Sequence, residues 1–124
     1  MTIMRFMVMG APIEHSLSPM IHTQFAAQVG CHLVYDTCLL DDTHFEQQVR
    51  DFFKMGGQGL NITSPGKTRA FAMADVKTPR CLAAGAANTL MMNTQGQLCA
   101  DNTDGVGLMR DLKQKGIKLA DARI

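Results

Sequence analysis

Tryptophan is absent from this 124-residue chain and tyrosine occurs once, at Tyr35, so aromatic rings cannot dominate its interior. Ten methionines stand in their place and point to an adaptable, largely aliphatic core. No apolar run is long enough to favour a membrane span, and residues 1–9 meet Gly10-Ala11-Pro12 too soon for a signal peptide. Charge of one sign is also missing. Lysine and arginine number 12 against 11 acidic residues, scattered along the chain, which leaves no basic stripe for a nucleic-acid backbone. The four cysteines form no C-x-x-C pair and lie in or beside apolar runs, as expected of reduced, mostly buried thiols in a cytoplasmic protein. His15, His22, His32 and His44 show no i, i+4 pairing beside a glutamate, so no metal site is indicated.

What remains is ordinary globular usage, 46% hydrophobic and 19% charged, in a length that suits one domain. Residues 5–9 form a short apolar run closed by Gly10 and Pro12, the pattern of a buried strand. Ser18-Pro19 predicts an N-cap followed by proline at the first helical position, with Ile21, Phe25 and Val29 as the apolar face and Gly30 as the stop. A second strand over 33–40 leads to Asp41-Asp42, read as caps of a helix whose Phe45, Val49 and Phe52-Phe53 share one face, ended by Gly56-Gly57. A third strand covers 59–62, and Pro65 opens a helix running through Phe71, Met73 and Ala74, which puts Lys67 in its first turn. A small helix follows Pro79 and reaches Gly85. Residues 89–92 and 97–100 flank Asn93-Thr94-Gln95-Gly96 as an antiparallel hairpin. Thr103 is expected to cap a last helix bearing Val106, Leu108, Met109 and Leu112, stopped by Gly116. This alternation predicts an α/β fold, an open three-layer αβα sandwich whose mostly parallel sheet takes one antiparallel strand from the late hairpin. Ligands in such sheets bind outside the carboxyl ends of the strands, where the loops from Gly10 and Thr63 open.

Polar segments concentrate at those loops. Ser16 and Ser18 sit before a helix start, where hydroxyls and free amides suit a carboxylate, although capping alone would also account for Ser18. Lys67 occupies the positive end of a helix, an electrostatically disfavoured place for a cation. A lysine in a partly desolvated cleft can act as a general acid or base, whereas a solvated lysine would have no such role. Asp104 suits a helix start by itself, and beside Lys67 it would hold the ammonium charged and oriented. Asn61 and Asn88, each close to a threonine, read either as ligand contacts or as turn residues bonding their own backbone. Gly105-Val106-Gly107 imitates the start of a dinucleotide fingerprint, but Arg110 stands where its third small residue belongs.

Taken together, Ser-x-Ser-Pro at 16–19, Asn-Ile-Thr-x-Pro-x-Lys at 61–67, Ala-Gly-Ala-x-Asn-Thr at 84–89 and Asp-Asn-Thr-Asp-Gly at 101–105 resemble the shikimate dehydrogenase family over nearly the whole chain. The resemblance is to that family's N-terminal substrate-binding domain, placed at 1–118, with 119–124 as the start of a connector to a nucleotide-binding domain not contained in this sequence. It implies NADP-linked, reversible reduction of 3-dehydroshikimate to shikimate in aromatic amino-acid biosynthesis, with the fragment alone inactive. It implies a pocket lined by Ser16, Ser18, Asn61, Thr63, Lys67, Asn88 and Asp104, in which Lys67 and Asp104 are the catalytic pair. A small-molecule substrate is the implied partner, with neither nucleic acid nor membrane, and a homodimer is admitted. Ser64 and Gly66 depart from the family pattern and are expected to loosen the turn that aims Lys67. A non-catalytic hydroxy-acid binding module and a quinate-preferring dehydrogenase are the alternative readings.

Overall fold

A computed structural model of the protein describes residues 3–121 and 123. Its elements run β1 (Met4–Gly10), α1 (Ser18–Val29), β2 (Leu33–Leu39), α2 (Phe45–Lys54), β3 (Gly57–Ile62), α3 (Lys67–Met73), β4 (Val76–Lys77), α4 (Pro79–Ala84), β5 (Thr89–Met92), β6 (Leu98–Asp101) and α5 (Asp104–Gln114). The strands form one sheet in the order β2-β1-β3-β5-β6-β4. β5 is antiparallel to both its neighbours, whereas β1 with β2, β1 with β3 and β4 with β6 are parallel pairs. The expected fold class is therefore what the chain adopts.

Alternation along the strands divides the core between the sheet's two faces. Met9 joins Leu40, Phe45, Val49, Leu60, Ile62 and Ala70 in the larger cluster, beneath α2 and α3. Its neighbour Val8 points the other way, to Ile13 and Tyr35 on the α1 face. Met9, Phe45 and Val49 are fully buried, each side chain contributing about 1.5–3 kcal/mol of apolar transfer energy before ordering costs.

Several local expectations are corrected. Two of the three residues in the apolar stripe expected on α1 face water, Phe25 54% and Val29 72% exposed, while Ile21 is half-buried. The inner line of that helix runs through His22 and buried Ala26, because the small alanine admits close approach and the imidazole stacks on Tyr35. Ser18 is the first helical residue rather than the cap; Leu17 holds the N-cap position without a side-chain bond. Asp41 accepts from the Thr43 amide, and His44 is the N-cap of α2. Pro65 lies just outside α3, whose N-cap is Gly66. Thr103 occupies the α5 cap position, but the Asn102 side chain makes the bond, its Oδ1 accepting from the Asp104 amide at 2.9 Å. The two-residue β4 is too short to leave a sequence pattern. Only Cys81 is buried among the cysteines, Cys31 being exposed and Cys38 and Cys99 half-buried. Met20, Met55, Met91, Met92 and Met109 are exposed, so the methionines serve the surface as much as the core. The connector expected over 119–124 falls partly outside the described residues.

Candidate functional site

The site forms where parallel strands end and the single reversed strand begins. Met9 pairs with Ile62, so β1 and β3 stop side by side. Gly10 lets their loops meet: a Cβ there would overlap the Thr63 methyl and approach the Ser64 carbonyl to 3.1 Å. The Thr63 amide donates to the Met9 carbonyl at 2.9 Å and the Ala11 amide to the Ser64 carbonyl at 3.0 Å. This stitches the serine loop to the lysine loop. Because β5 runs antiparallel, it brings its first residue to the same rim, where Thr89 pairs with both Asn61 and Asp101. Asn88 and the 102–104 turn therefore arrive from the other side.

Gly66 holds Lys67 in a way that differs from the expected loosened turn. It is buried, and a Cβ would stand 2.6 Å from Leu40 Cδ1 and 3.1 Å from Phe45 Cε1, so core side chains already fill that space. The turn is closed by the Gly66 amide donating to the Thr63 carbonyl at 3.1 Å and the Ala70 amide to the Gly66 carbonyl at 2.9 Å.

A polar cleft of about 320 Å³ opens at this rim, lined by Ser18, His22, Asn61, Thr63, Lys67, Asn88, Thr103 and Asp104. It shares Val8, Ser18 and Thr63 with a cavity of about 240 Å³ that adds His15 and Ser16, so the two are one groove. All the residues predicted from sequence line it. A larger cavity of about 590 Å³ lies between α2 and the hairpin, lined by Phe53, Met73, Met92 and Leu98 with Arg50 and Lys54. Its carboxylate, Asp75, already accepts from the Leu98 amide, and no cluster of hydroxyls converges there.

Lys67 Nζ donates to Asp104 Oδ2 at 2.8 Å, with the two side chains 33% and 53% exposed. Such access to water makes the pair a weak source of stability and leaves both groups reachable by a ligand. Asn88 Nδ2 donates to Asp104 Oδ1 at 3.1 Å and to Thr103 Oγ1 at 2.9 Å. Its Oδ1 accepts from the Thr103 amide and the Thr89 hydroxyl. Asn61 Oδ1 accepts from the Tyr35 hydroxyl at 2.6 Å, while its Nδ2 donates to the Asn88 carbonyl at 3.3 Å. The two asparagine side chains are thus largely spent on the protein, bracing the wall that holds Asp104. Ser16 Oγ accepts from the Ser18 amide at 3.2 Å, which keeps both hydroxyls at the mouth of α1.

Tyr35, His22 and Thr103 were missed by sequence reasoning. Burial pushes the Tyr35 phenol up to about 12, against a smaller opposing effect of the Ser18 hydroxyl. A lone tyrosine at an inward strand position needs a partner for its hydroxyl, and that was the available signal. A second ion pair closes the end of β6: Arg80 donates to Asp101 through Nε at 2.7 Å and Nη2 at 2.6 Å. The Thr78 hydroxyl and Asn102 amide also donate to Asp101 Oδ1, and the arginine, with these bonds, holds that carboxyl well below the usual carboxylate range. Among the described residues no cluster of histidine, cysteine and acidic side chains could hold a metal. A Cβ at Gly105 or Gly107 would meet nothing within 4 Å, so packing against the protein requires glycine at neither position. No helix among them is long and apolar enough to cross a membrane.

An open α/β sheet with a lysine–carboxylate pair and hydroxyls on one rim defines a domain built to take a small polar ligand. The profile of the shikimate dehydrogenase substrate binding domain matches residues 8–90, and the chain belongs to that family. It is 55% identical over 120 residues to shikimate dehydrogenase (NADP(+)) of Legionella pneumophila strain Lens, covering 97% of this chain and 44% of the relative. Against the enzyme of that name from Aeromonas salmonicida the identity is 46%, with the same coverage. Among solved structures it is similar to an Ael1 enzyme from Pseudomonas putida, with 42% identity, a TM-score of 0.89, and 94% of this chain and 43% of that one covered. Shikimate 5-dehydrogenase from Listeria monocytogenes in complex with shikimate and NAD gives 32% identity and a TM-score of 0.87, covering 94% and 40%. The chain spans less than half the length of these relatives.

Proposed function

We propose that this chain is the substrate-binding part of an NADP-linked dehydrogenase that interconverts 3-dehydroshikimate and shikimate in the cytoplasm. The observation that carries the reading is the Lys67–Asp104 pair at 2.8 Å on the wall of a hydroxyl-lined cleft. The names of the relatives support the substrate and the cofactor, and the Listeria complex supports a shikimate-sized ligand in this fold. Ser16 and Ser18 take the substrate carboxylate at the start of α1, and Thr63, Asn61 and Asn88 frame the ring. Hydride chemistry belongs to NADP; what these residues contribute is the proton. In the reducing direction the ketone oxygen gains a proton as its carbon gains hydride, and in this reading the Lys67 ammonium donates it. In the reverse direction the same amine receives the hydroxyl proton, with Asp104 orienting it throughout.

Titrating the isotopically labelled chain with shikimate tests the reading. Saturable NMR shifts at Lys67, Asp104, Ser16 and Ser18 are expected, and they disappear when both serines are changed to alanine. A titration with no saturable shifts at the cleft sinks the proposal. Quinate in parallel ranks the two acids.

A further inference from the structure

His22, in the second turn of α1, has one ring nitrogen fixed by the fold. Its Nδ1 lies 2.9 Å from the Ser18 carbonyl oxygen. A carbonyl oxygen only accepts, so Nδ1 carries the proton, and in the neutral ring Nε2 is left as a lone-pair acceptor. The ring plane is fixed too: it stacks on Tyr35 with centroids 4.6 Å apart and planes 15° from parallel, and the Phe25 edge meets it at 5.9 Å. Tyr35 is in turn tied by its hydroxyl to Asn61. His22 lines the same cleft as Lys67 and Asp104, and among the described residues Nε2 makes no hydrogen bond to the protein.

A polyhydroxylated ligand brings donors that need acceptors, and the cleft has few to offer. Lys67 only donates. The Asn61 oxygen already accepts from Tyr35, and the Asn88 oxygen from Thr89 and Thr103. The Ser18, Thr63 and Thr103 hydroxyls can accept once rotated into place and Asn61 Oδ1 keeps one lone pair, whereas Asp104 on α5 and His22 on α1 present acceptors already aimed by the fold from different elements of one cleft. We infer that His22 is a specificity-determining residue, its Nε2 accepting a hydrogen bond from one hydroxyl of the bound hydroxy acid. The inference rests on the proposed substrate class. It gives the site a second acceptor by which a ligand with a hydroxyl at that position is preferred to one with a methylene.

Two measurements on this chain test it. Long-range proton–nitrogen NMR of the ligand-free protein reads the tautomer without any variant, and the expected result is neutral His22 protonated on Nδ1. Protonation on Nε2 overturns the inference. Next, shikimate and its three mono-deoxy analogues are titrated into wild type, His22→Phe and His22→Gln. Phenylalanine keeps a ring on Tyr35 without the acceptor, and glutamine restores an oxygen near the Nε2 position. His22→Phe is expected to weaken shikimate about five- to tenfold, with the loss vanishing for one analogue and partly recovered by His22→Gln. Equal losses for every ligand would mean that the ring only packs, and no loss would mean that it touches nothing; either overturns the assignment. Wild type that binds shikimate while the Phe variant binds equally well sinks this inference alone. Wild type that binds none of the four acids sinks the proposed function with it.

Discussion

Two carboxylates three positions apart sit at the end of β6 and live in opposite circumstances. Asp101 is saturated: a bidentate arginine, a threonine hydroxyl and a backbone amide all donate to it, and its side chain is 27% exposed. Asp104 takes a single bond from Lys67 and one from Asn88 and is 53% exposed, with the cleft in front of it. A fully engaged carboxylate has nothing left to offer a ligand, whereas one with spare lone pairs in a groove can exchange partners during a reaction. Asp101 ties α4 to the sheet, whereas Asp104 faces the cleft with lone pairs to spare.

That contrast can be broken at either pair. The largest expected effect is on turnover, measured in a chain extended to the length of its relatives: Lys67→Ala should lower kcat about a hundredfold or more and change KM far less. A fall below about twofold would reduce Lys67 to a surface lysine. Next comes stability. Asp101→Asn leaves Arg80 without its fork partner and should cost about 1–2 kcal/mol in urea unfolding, with shikimate shifts retained. The pH dependence follows from the same residue. Asp101 titrates lower folded than unfolded, so the unfolded chain takes up its proton first, and stability present above about pH 5 is lost as pH falls through the unfolded value near 3.9 and on toward the folded one. Asp101→Asn should flatten that acid limb; an unchanged limb would assign it to other carboxylates, such as Glu46, held low chiefly by Arg69. The smallest effect closes the comparison. Asp104→Asn should shift stability by no more than about 0.5 kcal/mol while sharply reducing turnover, and a stability loss equal to that of Asp101→Asn would erase the difference between the two carboxylates.

Sheet, strand direction and the gathering of the polar segments were legible because each rests on local pattern: apolar runs of strand length, glycine and proline stops, and a hairpin turn. The inward face of α1 was not legible, because Phe25 and Val29 carry the periodicity whereas His22 and Ala26 carry the packing. Caps failed for a related reason. Ser18, Asp41 and Thr103 have the right chemistry, but tertiary contacts decided which side chain reached which amide, and at α5 it was Asn102. Gly66 read as slack because sequence shows the missing side chain and not the Leu40 and Phe45 atoms that occupy its place. Tyr35 escaped notice as a site residue since its hydroxyl acts across β1, between strands that are not adjacent.

The reversed strand β5 also sorts the molecule by tolerance to change. Its first residue stands at the cleft, so the 93–97 turn that follows it sits at the opposite end of the strands, about four residues or roughly 14 Å away. That turn closes on itself, with Asn93 Oδ1 accepting from the Gln95 and Gln97 amides. Extra residues there would lengthen a loop without shifting Asn88, Asp101 or Asp104. For engineering, this makes the hairpin tip the natural insertion point for a reporter peptide, one that can signal from the chain while the cleft stays as it is.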